Sequence, residues 1–371
     1  MKFKIFIFML FCFFNLCTAC ASTDKHTSTP SLLSSIQLAR IEAVYSYLEK
    51  EFKSWGLSDY GQDCILLFAE KEEWLLGCPM QNNEFKPNGQ VWRGQAVLWH
   101  DKSLYVTGKH LPFDQIKNSI VGTVGNYKND QGVTKPVLVL QDWGALHSHH
   151  PAFVNSSSEE WLGIFVHEAF HARQMWHTRI APLVKGWESD TLAKPEDLVN
   201  FYKNNPEFQK AINKEYELLR AAIDSGLKGK DVQRVLVQWL RLYQQRLTDF
   251  KQSMEKVMPG KQAWRVEQYE IFIEGTARYV EAKFLIAADG DFEALRGDPS
   301  FKNFASSKGK KPSELPGLGG IGSRYFYSLG MYLSFLMDKV DPSWKKQVFD
   351  HDQLLINQVR IVSLVRFLGN E

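Results

Sequence analysis

Cysteine is scarce in this chain. Its 371 residues include five, three of them within the first twenty positions, which leaves the body of the protein Cys64 and Cys78 and room for at most one disulfide. An excess of either charge is also missing. The formal net charge is +2, and Lys2 and Lys4 at the extreme N-terminus account for it. A body with balanced charge argues against nucleic acid as a partner and against electrostatic attachment to a membrane. There is no internal repeat and no long low-complexity segment, which removes the repeat architectures. What remains is an ordinary globular composition, 44% hydrophobic, 13% aromatic and 23% charged. The length suits one large domain or two smaller ones.

Residues 1–20, MKFKIFIFMLFCFFNLCTAC, set two lysines before an apolar run from Ile5 to Leu16 and end in small residues. The run is shorter than the roughly 20 residues of a membrane helix and has the layout of an export signal. CTAC resembles a bacterial lipobox with Cys20 as the residue to be lipidated, although Cys17 stands where that motif usually has leucine. Ala19 and Ala21 also fit an ordinary cleavage site that releases a soluble protein. Residues 21–33 read as a polar tether. The expectation is an envelope protein facing the periplasm, held at the membrane by its N-terminal lipid alone, with a secreted soluble form as the alternative. In that oxidising setting Cys64 and Cys78, symmetric about Lys71 across an expected hairpin, form a candidate disulfide; two free core thiols are the competing reading.

Helical spacing of apolar residues from Ser34 to about Lys53 predicts an amphipathic helix within residues 34–60. Residues 61–141 alternate short apolar runs with Gly, Asn, Asp and Pro clusters, which predicts an antiparallel sheet of about five or six strands. From 142 to 371 the pattern is helical, with two long helices near 190–260 that end at glycine. Strands followed by helices predict an α+β class, a β-rich N-terminal part and then a mostly helical part.

The stretch WLGIFVHEAFHARQMWH, residues 161–177, concentrates the chemistry. Ser157 and Glu160 read as a capping box, and the apolar run after them carries the helix inward. At about 100° per residue, His167 and His171 lie about 40° apart on one face, so both imidazoles reach one ion, and Glu168 stands beside it. Two core histidines without metal are the competing reading. The segment resembles the HExxH motif of the zinc metallopeptidases called zincins, although Ala169 and Arg173 fall where many members carry larger apolar residues. The resemblance implies a zincin-like fold, one zinc per chain, Glu168 as general base and a peptide or protein as substrate.

Two completions of the site remain open. In a metzincin-like arrangement His177 is the third ligand, but Gln174 replaces the glycine that lets the chain leave the helix and turn back. In a gluzincin-like arrangement a later helix supplies a glutamate, and EGTARYVE, residues 274–281, resembles such a helix. Glu274 is the favoured ligand, with Gly275 allowing close approach to the His167 helix and Glu281 orienting a ligand histidine. Glu270, one turn earlier on the same face, is the alternative ligand, with Glu274 as its helper. The segment from His171 to Glu274 is much longer than in compact gluzincins, and the two long helices near 190–260 read as an insertion.

Water attack on a carbonyl builds negative charge on oxygen, and GSRYFYSLG offers donors for it: Arg324, Tyr325 and Tyr327, with Tyr327 preferred. Aromatic packing is the competing role for both tyrosines. His147, His149 and His150 read as polar loop histidines, with a second metal site or a substrate-facing rim as the competing reading. The resulting expectation is an exported, gluzincin-like zinc peptidase; the rival is a noncatalytic envelope protein that binds or assembles partners.

Overall fold

The structure is a computed structural model. It describes the backbone of residues 35–57, 64–68, 73–76, 84–85, 92–99, 102–107, 122–128, 134–149, 158–176, 194–287, 310–315, 318–350 and 355–365. Cys20, Cys78 and His177 lie outside these residues. Contacts divide the chain into two units. The first holds residues up to 45, 59–172 and 294–302, and the second holds 46–58, 173–293 and 303–371.

In the first unit, α1 (Ser35–Ser54) begins where its apolar spacing predicts. The backbone then forms β1 (Cys64–Phe68), β2 (Glu73–Leu76), β3 (Glu84–Phe85), β4 (Trp92–Trp99), β5 (Lys102–Thr107), β6 (Gly122–Lys128) and β7 (Thr134–Gln141). Their order is β3-β4-β5-β2-β1-β7-β6. The expected hairpin is β1 with β2, paired Ile65 to Leu76 through Phe68 to Glu73. The all-antiparallel expectation fails at β1 and β7, which run parallel, with Ile65 opposite Leu138 and Leu67 opposite Leu140. A parallel pair needs a long crossover, here the intervening strands, and no local turn announces it. Those four residues alternate along their strands and are all buried, so one face of the central pair is covered.

After β7 the chain enters α2 (Trp143–His149), so the stretch read as a histidine loop is helical as far as His149. Asp142 precedes it and accepts a hydrogen bond from Gly144 N at 2.9 Å. The His147 ring stacks on Trp143 one turn earlier, with centroids 4.6 Å apart. Helix α3 (Ser158–Trp176) follows, and Trp161 ties its first turns to the end of β7 by donating to Gln141 O at 2.6 Å.

The second unit takes the ends of α1 and α3 and adds α4 (Pro195–Lys203), α5 (Pro206–Asp224), α6 (Lys230–Val257), α7 (Ala263–Ala287), α8 (Tyr325–Val340), α9 (Trp344–Asp350) and α10 (Leu355–Val365). Asn205 caps α5 by accepting from Phe208 N at 3.0 Å, and Pro206 supplies the preset first residue. Helix α6 buries Val232, Leu236, Trp239, Tyr243 and Arg246, a stripe at alternating spacings of four and three. Helix α7 differs, because nearly its whole circumference is buried. It is the centre of this unit, and its polar residues therefore need partners inside the protein.

Two devices hold α7. The first is an ion cluster: Arg246 on α6 donates to Glu215 on α5 at 2.5 and 3.3 Å and to Glu267 on α7 at 2.8 Å. The Arg246 guanidinium also lies over the rings of Phe208 and Tyr243. The second is a close crossing. A Cβ on Gly275 of α7 would sit 2.4 Å from Gly330 Cα on α8, so both positions must be glycine for the backbones to touch. Gly275 thus serves the approach of α8, a correction to the expected role against the His167 helix.

The expected α+β class, zincin-like with a β-rich N-terminal part, is overturned by the composition of the described packing. Of the residues whose side chains are described, 81% are helical and 3% lie in strands. The reason is physical: each helix of the second unit buries its apolar stripe on other helices and needs no sheet to cover it. Among the described residues no helix is long and apolar enough to cross a membrane.

Candidate metal centre

Helix α3 is apolar on most sides where it carries the motif: Leu162, Phe165, Val166, Ala169 and Phe170 are buried. That burial leaves the histidines little contact with water, at 7% exposure for His167 and 5% for His171. Their Nε2 atoms approach to 2.9 Å, with the rings nearly perpendicular at 83°. Two neutral imidazoles cannot set two lone pairs against each other at this distance. Either one proton or a shared cation must lie between them. The separation is that of an N–H···N hydrogen bond, and ligation of a common ion would need the two nitrogens to part by a few tenths of an ångström, to about 3.3 Å for tetrahedral zinc.

Glu274 on α7 completes the group. One ligand atom from each of His167, His171 and Glu274 lies within 4.8 Å of the other two, and all three residues are buried. Glu270 is not part of that set. The metzincin-like completion loses its geometric basis, because α3 continues through Gln174 to Trp176 instead of breaking for a return. Gln174 itself is fully buried, and its amide donates to Ile273 O at 3.2 Å and to Thr276 Oγ1 at 2.7 Å. These acceptors flank Glu274 on α7. Gln174 therefore anchors the end of α3 to the turn of α7 that carries Glu274, a role that spacing alone does not reveal.

Further groups of the second unit surround Glu274. The Tyr327 hydroxyl on α8 donates to its carboxylate, and the Arg324 guanidinium at the α8 N-terminus donates to Tyr327. Burial, then the charge of Glu274, holds the Tyr327 hydroxyl well above the ordinary tyrosine range, with Arg324 pulling the other way. It therefore stays protonated. Burial weakens the charge on Arg324, but Tyr327 and Glu274 more than restore it. Glu270 is 1% exposed and is pushed well above the carboxylate range by burial and then by Glu274, partly offset by Arg324. Glu196, in the first turn of α4, adds to the negative field at Glu270, and its place on a separate short helix gives no sequence signal.

The other candidates have the following surroundings. Tyr325 is fully buried, stacks on Tyr202 and donates to Glu267 at 2.5 Å, so it belongs to the Arg246 cluster. Glu281 accepts from Arg278 at 3.0 and 3.2 Å. Tyr279 donates to Asp338 and packs edge-on against Trp55. Glu168 lies on α3 and is partly exposed. Cys64 opens β1, while its expected partner Cys78 is outside the described residues.

A buried set of two histidines and one glutamate can hold a metal ion, and the mixed nitrogen and oxygen donors are of the kind that suits zinc among several divalent metals. A scan against protein-family models matches none, and comparisons with curated proteins and with solved structures return no match.

Proposed function

We propose that this chain is a zinc-dependent hydrolase, most simply a peptidase, acting in the bacterial envelope or beyond it. The convergence of His167, His171 and Glu274 in a buried group carries this reading. Those three residues would hold the ion, one per chain. When bound, zinc supplies Lewis acidity and brings the pKa of a water ligand to about 7.

The rest of the chemistry falls to this chain's own residues. Glu168 neighbours His167 on α3 and keeps partial access to solvent. It accepts the proton of the attacking water and passes it to the leaving amine. Tyr327 keeps its proton, which it donates to Glu274 here; turned from Glu274 to the substrate, the same O–H would donate to the oxygen on which charge develops. Arg324 holds Tyr327 by a hydrogen bond and adds a fixed positive charge. Burial of the histidines excludes bulk water, which strengthens each of these interactions.

The test begins with elemental analysis of the purified protein lacking residues 1–20, beside Glu274→Ala and His177→Ala. The expected result is about one zinc per chain, lost in Glu274→Ala and kept in His177→Ala. The zinc-loaded protein is then incubated with a pool of synthetic peptides, and products are read by mass spectrometry. Cleavage that disappears in Glu168→Gln with zinc retained supports the hydrolase. Zinc binding with no cleavage supports the noncatalytic envelope protein, and no zinc at any supply sinks the metal site.

A further inference from the structure

Next to the metal group stands one buried acid that the group does not use. Glu270 is 1% exposed, and neither carboxylate oxygen has a hydrogen-bond donor among the described residues. It precedes Glu274 by one turn of α7 and so shares its face. The charged groups that it senses are Glu274, Arg324 and Glu196. It therefore lies on the face of α7 that carries Glu274 and senses the charge there.

Several roles are excluded by the contacts. Glu270 does not orient a ligand imidazole, because a histidine N–H on either oxygen would be a partner. It does not pair with Arg324, which stabilises it only through space. It is absent from the group that can hold the ion. A buried carboxyl group whose two oxygens have no partner is costly, and a ligand that brings hydrogen-bond donors and positive charge would both satisfy it and favour its ionised form. The local charge points the same way: Glu274 and Glu196 both add negative field at Glu270, and Arg324 opposes them. A ligand suited to Glu270 brings positive charge and several N–H donors, which describes an ammonium group.

We propose that Glu270 binds an ammonium group of the substrate held at His167, His171 and Glu274, which makes the site selective for peptides with a free amino terminus or a lysine side chain near the bond that is cut. The proposal rests on the hydrolase reading for the word substrate, but the ammonium site itself does not.

The test uses the zinc-loaded protein lacking residues 1–20, with n-butylammonium as probe and neutral 1-pentanol as its uncharged counterpart. Binding is measured by calorimetry for the wild type and Glu270→Gln. The expected outcome is a Kd for n-butylammonium raised about tenfold or more in Glu270→Gln, pentanol binding unchanged and zinc content unchanged. Glu270→Leu is expected to melt at a temperature equal to or above the wild type, since it removes a buried polar group that has no hydrogen-bond partner; a packing residue would show the reverse. Peptide pairs then separate the two sources of the ammonium. Faster cleavage of free over N-acetylated peptides, lost in Glu270→Gln, assigns the amino terminus, and faster cleavage of lysine over norleucine peptides assigns the side chain. Equal amine binding by both proteins, loss of zinc from Glu270→Gln, or cleavage without either preference overturns the proposal. If amine binding follows Glu270 while no peptide is cleaved, the ammonium site stands and the hydrolase reading falls.

Discussion

Replacing Gly330 by alanine tests the crossing that brings α8 onto α7. The added Cβ would lie 2.0 Å from Ile271 O and 2.5 Å from Gly275 Cα. Both are backbone atoms, so no side chain can turn away to make room. Ordinary contact begins near 3.4 Å, and the helices must separate by about 1 Å or more, forfeiting much of the dispersion along their shared surface. Alanine returns about 1 kcal/mol through its better helix propensity. Overpacking a tight interior costs about 1–3 kcal/mol and at times more. The expected net loss is about 1–3 kcal/mol, because the contacts are to backbone and at the severe end of that range. Equilibrium urea unfolding followed by circular dichroism reads it as a lower midpoint at unchanged slope. Gly320→Ala is the control: nothing lies within 4 Å of its Cβ position, and its effect should stay within about 0.5 kcal/mol. The site should suffer too, since Tyr327 reaches Glu274 from one turn before Gly330. A Gly330→Ala protein as stable as the wild type refutes the crossing.

Three further outcomes follow from the same contacts. Arg246→Met at pH 8 leaves Glu215 and Glu267 buried without their cation, and should cost about 3–5 kcal/mol in urea unfolding; a loss below 1 kcal/mol would show that the cluster is not formed. Burial pushes the Glu215 carboxyl up to about 7, with Arg246 opposing. Because the folded value exceeds the ordinary carboxyl value of 4.5, the folded state holds the proton more tightly, and this group's contribution to stability is lost as pH rises from about 4.5 to about 7. The urea midpoint should fall across that window in the wild type and fall less in Glu215→Gln; identical slopes count against the shift. Tyr327→Phe should lower kcat by about a hundredfold or more with zinc content unchanged, and a change in KM alone would remove the hydroxyl from the reaction.

Helix positions were legible in the sequence because amphipathic stripes and caps are local signals. The reading from Ser34 to Lys53 meets α1 at Ser35–Ser54, and the two long helices appear as α5 and α6. The β1 and β2 hairpin was legible for the same reason, as two apolar runs around a charged turn. The parallel pairing of β1 with β7 was not, since contacts between distant segments leave no periodic trace. Nor could alternating apolar runs show that the described core would be built almost wholly by helices. The Arg246 cluster was also hidden. Glu215, Arg246 and Glu267 sit on three helices, and each alone reads as an ordinary surface charge.

The sequence by itself determined that His167 and His171 share one face of an apolar helix, since a spacing of four residues sets that relation in any α-helix. It also offered a few candidates for a third ligand and three for an oxyanion donor. Tertiary structure decided which of these candidates lie together. Glu270 and Glu274 differ by about 40° around α7, too little for periodicity to separate. Their distance along the axis separates them, and the Gln174 contact with Ile273 and Thr276 sets which one meets the histidines. Tyr325 and Tyr327 lie about 200° apart around α8, so one must face away when the other faces Glu274. The Gly275 and Gly330 crossing fixes the rotation of α8, sending Tyr325 to Glu267 and Tyr327 to Glu274. Helical periodicity specifies which residues act together, and only the packing of one backbone on another specifies what they meet.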